Sequence, residues 1–126
     1  MILSFSTTCK LAKERKVPDP LTYGTKTVSR RFWKPRTADN WVNAWKKGNL
    51  IHQAWSTLPY VKGARQLGFF RLSCQPYQEL LADMPESDIP KEGGFWRDKQ
   101  HFIDEIGEGD PSKIVWVVRW DIFYPQ

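Results

Sequence analysis

The strongest constraint on the fold is an apolar run near the end of the chain. Residues 114–118 read Ile-Val-Trp-Val-Val, and the run continues to Phe123 with only two charged residues in between. β-branched and aromatic residues favour a strand, and five apolar residues in a row indicate that both faces of its first half are covered. The run therefore predicts the central or closing strand of a barrel.

Shorter segments with helix or strand patterns precede this run. Trp41, Ala44 and Trp45 recur at helical spacing, which predicts a helix with both tryptophans in the core. A chain of 126 residues can bury a core without disulfides or a metal, so we expect one α+β domain over residues 1–126. The predicted elements are strands over 2–6, 28–33, 50–55, 67–74 and 114–123, helices over 10–16, 37–47 and 95–106, and a helical turn over 79–84.

The composition argues against several classes of protein. The two cysteines, Cys9 and Cys74, lie far apart and form no CxxC motif, which favours a reducing, cytoplasmic environment. The apolar residues 1–5 are too few for a signal peptide, and residues 114–118 are too few to cross a membrane. Neither histidine has another histidine or a cysteine at ligand spacing. We therefore expect a cytoplasmic protein with no membrane segment, no metal and no cofactor.

The charge is distributed unevenly along the chain. Residues 1–71 contain 14 lysines and arginines against three acidic residues, whereas residues 72–126 contain five against 11. This asymmetry predicts one basic surface, which would attract a polyanion such as RNA through counterion release. A solvated face that only improves solubility is the other interpretation of the same pattern.

The segment from Gly24 to Arg31, Gly-Thr-Lys-Thr-Val-Ser-Arg-Arg, contains the residue types of a reactive cleft. A lysine that is removed from water loses its preference for the charged form and can act as a base towards a nearby hydroxyl. On a straight strand Lys26 and Ser29 would face opposite ways, so they can meet only if the chain turns between them. Arg30 and Arg31 would hold a phosphate or a carboxylate.

Aromatic and basic residues alternate directly after this segment. The sequence Arg-Arg-Phe-Trp-Lys-Pro-Arg over residues 30–36 combines cations for a phosphate backbone with rings on which bases can stack. The predicted ligand-binding residues are Gly24, Lys26, Arg30, Arg31, Trp33, Lys34 and Arg36.

Glu92 precedes two glycines, Gly93 and Gly94, which allow the backbone to turn sharply. A carboxylate in this position can be directed into a cleft. The local pattern alone favours a surface glutamate at the end of a short helix.

Gly24, Lys26, Ser29 and Arg31 match a Gly-x-Lys-x-x-(Thr or Ser)-x-Arg signature, and the chain thereby resembles the ASCH-domain family of the PUA-like superfamily. The order of the predicted elements resembles that family across nearly the whole chain. The resemblance implies a PUA-like β-barrel of about five to six mixed strands with flanking helices. It also implies that the chain binds RNA or a modified nucleoside or nucleotide.

Some members of this family look like amidohydrolases that remove the acetyl group from acetylated cytidine, and others are reported as ribonucleases. The resemblance assigns the catalytic roles to Lys26, to Ser29 where the family has threonine, and to Glu92. Lys26 would deprotonate Ser29 or a water molecule, Glu92 would hold Lys26 or relay a proton, and Arg31 would steady a substrate oxygen. A binding module and a small hydrolase are thus both compatible with the sequence.

Overall fold

A computed structural model describes all 126 residues of the chain. It contains six strands, three α-helices and three short 3₁₀ helices. The strands are β1 (Ile2–Ser4), β2 (Val28–Arg31), β3 (Ile51–Trp55), β4 (Gln66–Leu72), β5 (Tyr77–Leu80) and β6 (Ile114–Pro125). The α-helices are α1 (Ser6–Arg15), α2 (Pro35–Lys46) and α3 (Lys99–Ile106), and the 3₁₀ helices are Leu81–Asp83, Glu86–Asp88 and Pro90–Glu92.

The apolar run near the end of the chain forms β6, the strand on which the sheet is assembled. Its first half pairs on one edge with β2 and on the other with β5, and its second half pairs with β4. The order along the sheet is β1-β3-β4-β6-β2, and only β1 and β3 run parallel. The result is a curled, mixed sheet that forms a half-barrel, so the predicted α+β, barrel-like architecture is confirmed.

A close approach between β4 and β6 requires a glycine at position 68. Gly68 has a φ of +155°, and a Cβ atom there would lie 2.2 Å from the carbonyl oxygen of Tyr124. The register between the two strands also shifts between Arg71 and Leu72. Such irregularities bend a strand. The bend allows the sheet to curl where β6 exchanges its partners β2 and β5 for β4.

The core consists of two clusters, and β6 contributes to both. Val115 and Val117 join the cluster that also includes residues of α3, whereas Val118 and Trp120 join the cluster under α2. Trp41 is only 2% exposed, and Trp45 packs against the same cluster, so the prediction that both tryptophans belong to the core is confirmed.

Several element boundaries differ from the sequence prediction. The helical turn predicted over 79–84 is wrong in its first half, because residues 77–80 form β5 by pairing with β6. The helix predicted to begin at residue 10 begins at Ser6, and the one predicted from residue 95 begins at Lys99, where the Asp98 side chain accepts a hydrogen bond from the amide of His101. No helix of the chain has the length and apolar character needed to cross a membrane.

Candidate functional site

A concave pocket of about 450 Å³ lies where β2, the start of α1, the last 3₁₀ helix and α3 come together. One group of lining residues is polar and comes from the predicted motif, another comes from the first turn of α1, and a third is apolar. These groups are Lys26, Ser29, Arg30, Arg31 and Glu92; Ser6, Thr7 and Thr8; and Phe32, Trp96, Phe102 and Ile106.

Lys26 reaches the pocket because it lies just before β2 rather than on it. Gly24 adopts a left-handed φ of +80°, and the chain then turns so that the amide of Lys26 donates to the carbonyl of Pro20 at 3.0 Å. The strand begins only at Val28. The turn that the strand pattern required is therefore present, and Lys26 and Ser29 line the same pocket.

The Lys26 ammonium is enclosed by acceptors. Its Nζ donates to the carbonyl of Val28 at 2.9 Å, to the carbonyl of Glu92 at 2.8 Å and to Glu92 Oε1 at 3.3 Å. The residue is 3% exposed. Burial lowers the pKa of Lys26 below its ordinary value, and the charge of Glu92 opposes this shift only in part.

Glu92 is 3% exposed and joins two cations. While Oε1 faces Lys26, Oε2 accepts a hydrogen bond from Arg30 Nη1 at 2.8 Å. The local pattern favoured a surface glutamate, and that interpretation is wrong. The 3₁₀ helix Pro90–Glu92 and the positive φ of Gly93 turn this carboxylate inwards.

Arg30 is paired with carboxylates of the chain itself. Its side chain is 0% exposed, and its guanidinium binds three carboxylates, those of Glu79, Asp88 and Glu92, at 2.6–2.9 Å. Burial alone would lower the pKa of Arg30, but these carboxylates raise it above its ordinary value. Arg30 also lines the pocket, but its guanidinium is already paired with carboxylates, and one of them, Glu92, is held in place by this contact.

The ion network extends behind Arg30. Asp88 also accepts a hydrogen bond from Arg119 Nη1 at 3.0 Å, and Arg119 Nε donates to the hydroxyl of Tyr77 at 2.9 Å. Burial alone would raise the pKa of Asp88, but the hydrogen bonds from Arg119 and Arg30 hold it below its ordinary value. The network thus connects β2, β5, β6 and the 3₁₀ helices around the floor of the site.

Arg31 lies on the opposite face of β2 and is half-buried. Its Nε donates to Ser29 Oγ at 2.9 Å, and its Nη1 donates to the carbonyl of Ser4 at 2.6 Å. Its guanidinium carbon lies 5.0 Å from the centre of the Phe5 ring. Burial lowers the pKa of Arg31 to about 10, so the side chain remains a cation at neutral pH. The Ser29 hydroxyl therefore lies next to a fixed positive charge.

The remaining predicted binding residues do not line the pocket. Trp33 stacks between Trp41, at a ring-centre distance of 5.2 Å, and Trp116, at 6.3 Å, and this stacking makes it part of the aromatic packing. Lys34 and Arg36 are exposed at the start of α2, and Gly24 is exposed in its turn. Of the predicted set, the structure brings Lys26, Arg30 and Arg31 to the pocket, packs Trp33 between two tryptophans, and leaves Gly24, Lys34 and Arg36 on the surface.

Sequence reasoning missed the contribution of α1 and α3 to the pocket. The run Ser6-Thr7-Thr8 is typical of a helix start, and this signal could have placed the beginning of α1 correctly. Glu105 also lines the pocket, where its carboxylate accepts hydrogen bonds from Trp96 Nε1 at 2.7 Å and from His101 Nε2 at 3.0 Å. No three or more His, Cys, Asp or Glu side chains are grouped so that they could hold a metal ion.

No protein-family model, no curated protein and no solved structure matches this chain. The chemistry of the pocket and the resemblance of its motif are therefore what indicates a function.

Proposed function

We propose that the pocket binds a nucleotide unit, either within RNA or as a free modified nucleoside or nucleotide, and that the chain is a PUA-like ASCH domain. The observation that carries the proposal is the meeting of Lys26, Ser29 and Arg31 with the rings of Trp96 and of Phe32, which is 50% exposed, in one pocket. Polar groups can orient a ligand there, while flat apolar surface can receive a base. The resemblance of the Gly24-to-Arg31 segment to the ASCH signature supports this choice of family.

The size of the pocket suits this class of ligand. Small-molecule sites commonly enclose about 300–1,000 Å³, and this pocket has about 450 Å³. A single nucleoside can enter such a space, whereas a folded protein or a duplex cannot. A longer RNA would therefore place one nucleotide in the pocket and run along the surface on either side.

Exposed cations outside the pocket could hold the flanking phosphates of such an RNA. Lys34 and Arg36 follow directly after β2, and Lys10 and Lys13 lie on α1, whose first turn lines the pocket. Exposed lysines and arginines bind phosphates without sequence preference and release counterions. These residues would supply affinity, and the pocket would supply selectivity.

The proposal is tested by titrating the protein with nucleosides and with a short single-stranded RNA while tryptophan fluorescence is recorded, since Trp96 lines the pocket. We expect saturable binding that Ser29→Ala and Lys26→Met weaken. Lys46→Met, an exposed lysine at the far end of α2, is the matched control and should bind as the wild type does. Equal binding by all three variants would exclude the pocket as the binding site.

A hydrolase is the second candidate, and the environment of Lys26 favours it. A buried lysine with a lowered pKa, in contact with a carboxylate and in the same pocket as a serine, is typical of activated nucleophile systems. In the resting geometry Nζ donates three hydrogen bonds, and none of them goes to Ser29. To act as a base, Lys26 must release one of these bonds, and the longest is the one to Glu92 Oε1.

The reaction would then follow from the positions of these groups. Neutral Lys26 takes the proton of Ser29 Oγ, and the oxygen attacks the carbonyl carbon of an acyl amide. Arg31, which already donates to Ser29 Oγ, stabilises the negative charge that develops. Lys26 returns the proton to the leaving nitrogen, and a water molecule, deprotonated in the same way, releases the acyl group. In a ribonuclease the same groups would act on a phosphodiester.

Mass spectrometry distinguishes the two candidates. Acylated nucleosides and a short RNA are incubated with the wild type, Lys26→Met and Ser29→Ala, and the masses of the products are measured. Loss of an acyl group, or shortening of the RNA, that both variants abolish and Ser29→Thr retains would make the chain an enzyme. Unchanged masses with RNA still bound would leave a binding domain.

A further inference from the structure

Two carboxylates line the pocket, and only one of them is accessible to a ligand. Glu92 is buried and is already paired with Lys26 and Arg30. Glu105 lines the same pocket from α3, its side chain is 41% exposed, and it forms no ion pair with a lysine or an arginine. Glu105 is therefore the acidic group of the pocket that a ligand can contact.

The Glu105 carboxylate is held in position by two donors. Trp96 Nε1 donates to its Oε2 at 2.7 Å, and His101 Nε2 donates to its Oε1 at 3.0 Å. The His101 ring has its proton on Nε2, because its Nδ1 accepts a hydrogen bond from the amide of Arg97 at 3.1 Å. A side chain that is already ordered in this way loses little conformational entropy when a ligand binds.

Glu105 retains both its charge and free acceptor positions. Burial alone would raise the pKa of Glu105, but the hydrogen bonds from Trp96 and His101 hold it below its ordinary value. An ionised carboxylate only accepts hydrogen bonds, and each of its oxygens has two lone-pair directions. Trp96 and His101 use one direction on each oxygen. One direction on each oxygen therefore remains for a donor of the ligand.

Such an acceptor distinguishes bases by the donors on their edges, whereas the rings of Trp96 and Phe32 do not, because every base has a flat face. On its Watson–Crick edge, guanine presents two adjacent N–H donors, at N1 and at the 2-amino group. Adenine and cytosine present an amino group beside a ring nitrogen that accepts, and uracil presents one N–H between two carbonyls. Guanine alone can offer a donor to each Glu105 oxygen without bringing a lone pair towards the carboxylate.

We propose that Glu105 is a specificity-determining residue that selects guanine by accepting hydrogen bonds from N1 and the 2-amino group. This inference rests on the proposed function and states which base the pocket takes. The guanine can belong to a free nucleoside or nucleotide or to an RNA strand. Because the Glu105 side chain is 41% exposed, water competes for it, so we expect each lost donor to weaken binding by about tenfold.

The test compares ligands that differ in one donor. Inosine lacks only the 2-amino group of guanosine, and two short RNAs can differ in the same way at one position. The protein is titrated with these four ligands and with adenosine, cytidine and uridine, while NMR records the indole N–H of Trp96, which is bonded to Glu105. Trp96→Phe assigns that signal. We expect guanosine to shift it and to bind about tenfold more tightly than inosine. A gain with the nucleosides identifies a free ligand, and a gain only between the RNAs identifies a strand.

A conservative variant tests the role of Glu105 directly. Glu105→Gln keeps the size of the side chain but replaces one acceptor oxygen by an NH₂ group, which would face a donor of guanine. The ratio of guanosine to inosine affinity should therefore fall towards one. Asp104→Asn makes the same change at the neighbouring exposed residue of α3, outside the pocket, and should leave the ratio at about tenfold.

The same ratio separates direct contact from an indirect effect. If Glu105 only orders the Trp96 ring, Glu105→Gln will weaken guanosine and inosine equally and leave their ratio unchanged, which would overturn the proposal. Equal affinity of the wild type for all the nucleosides and for the two RNAs, or a preference for another base, would also overturn it and leave nucleotide binding standing. Binding of no nucleoside and no RNA would overturn the proposed function itself.

Discussion

Lys26 and Glu92 are 66 positions apart in the sequence, and their side chains meet at 3.3 Å, each only 4% exposed. The Glu92 carboxylate at the same time binds Arg30 at 2.8 Å. One buried carboxylate thus compensates two buried cations, which joins the turn before β2 to the 3₁₀ helix that precedes Gly93. The site and the stability of the fold consequently depend on the same residue.

Replacing Glu92 by Gln should destabilise the chain by about 3 kcal/mol, because it leaves Lys26 and Arg30 without their shared counter-charge. The measurement is the free energy of unfolding in urea. Glu108→Gln is the control, because the Glu108 side chain is 85% exposed and its contact with Lys113 is long, at 3.5 Å. We expect the control to change stability by less than about 1 kcal/mol. Similar losses in both variants would contradict the role of Glu92.

Surface cations should determine the salt dependence of RNA binding. Removing the exposed charges of Lys34 and Arg36 with glutamine should reduce the slope of log affinity against log salt by about 1.4, since each phosphate contact on a single strand contributes about 0.7. The matched control is Lys46→Gln with Lys47→Gln at the other end of α2. The measurement is fluorescence anisotropy of a labelled RNA between low and moderate salt. An equal change of slope in the two double variants would refute this assignment.

His52 should make the fold sensitive to mild acid. It is 1% exposed, its Nδ1 accepts from the N-terminal amine at 2.9 Å, and its Nε2 donates to the carbonyl of Asn49 at 3.0 Å. Burial, and next the positive amine, lower the pKa of His52 to about 4. Because the unfolded chain binds this proton at higher pH, the neutral histidine stabilises the fold above about pH 6.5, and that contribution is lost as the pH falls towards 4.

The stability of the wild type should therefore fall between pH 6.5 and pH 4 by more than that of His52→Gln, which cannot take up the proton. Urea unfolding at several pH values measures the difference. His101→Gln is the control, since that ring is partly accessible and bonded to Glu105. Parallel pH curves for the wild type and His52→Gln would show that His52 is not the responsible group.

Gly68→Ala should be strongly destabilising, by about 3 kcal/mol or more, because the new Cβ would lie 2.2 Å from the carbonyl oxygen of Tyr124 and within 2.9 Å of the Phe123 ring. Gly48→Ala makes the same change at a φ of +81° with no atom within 4 Å, and should cost about 1 kcal/mol. Thermal unfolding of both variants gives the comparison. A loss of stability in Gly68→Ala no larger than that in Gly48→Ala would contradict this prediction. It would mean that β4 and β6 can move apart to admit the Cβ atom at no cost in free energy.

Much of the architecture could be predicted from local patterns. The run that forms β6, the helix that buries Trp41, and the strand that carries Ser29 and Arg31 on one face are all visible in the spacing of apolar residues. The strand β5 was not, because its four residues have no strong strand pattern and are extended only through pairing with β6. The first residue of a helix such as α1 is harder to predict, because it depends on a short run of capping residues rather than on the repeated spacing of apolar ones.

The candidate site likewise has one part that the sequence predicts and one part that it does not. The sequence by itself predicted that Ser29 and Arg31 share one face of a strand and that Arg30 lies on the other, since strand residues alternate. That Lys26 joins Ser29 in one pocket was decided by the turn before β2, which the sequence allowed but did not require. Only the tertiary structure decided that Arg30 is paired with three carboxylates and that Glu92 is buried against Lys26, because those partners come from residues 79–92. Burial and charge pairing between distant segments depend on how the sheet curls, and no local spacing of residues encodes that.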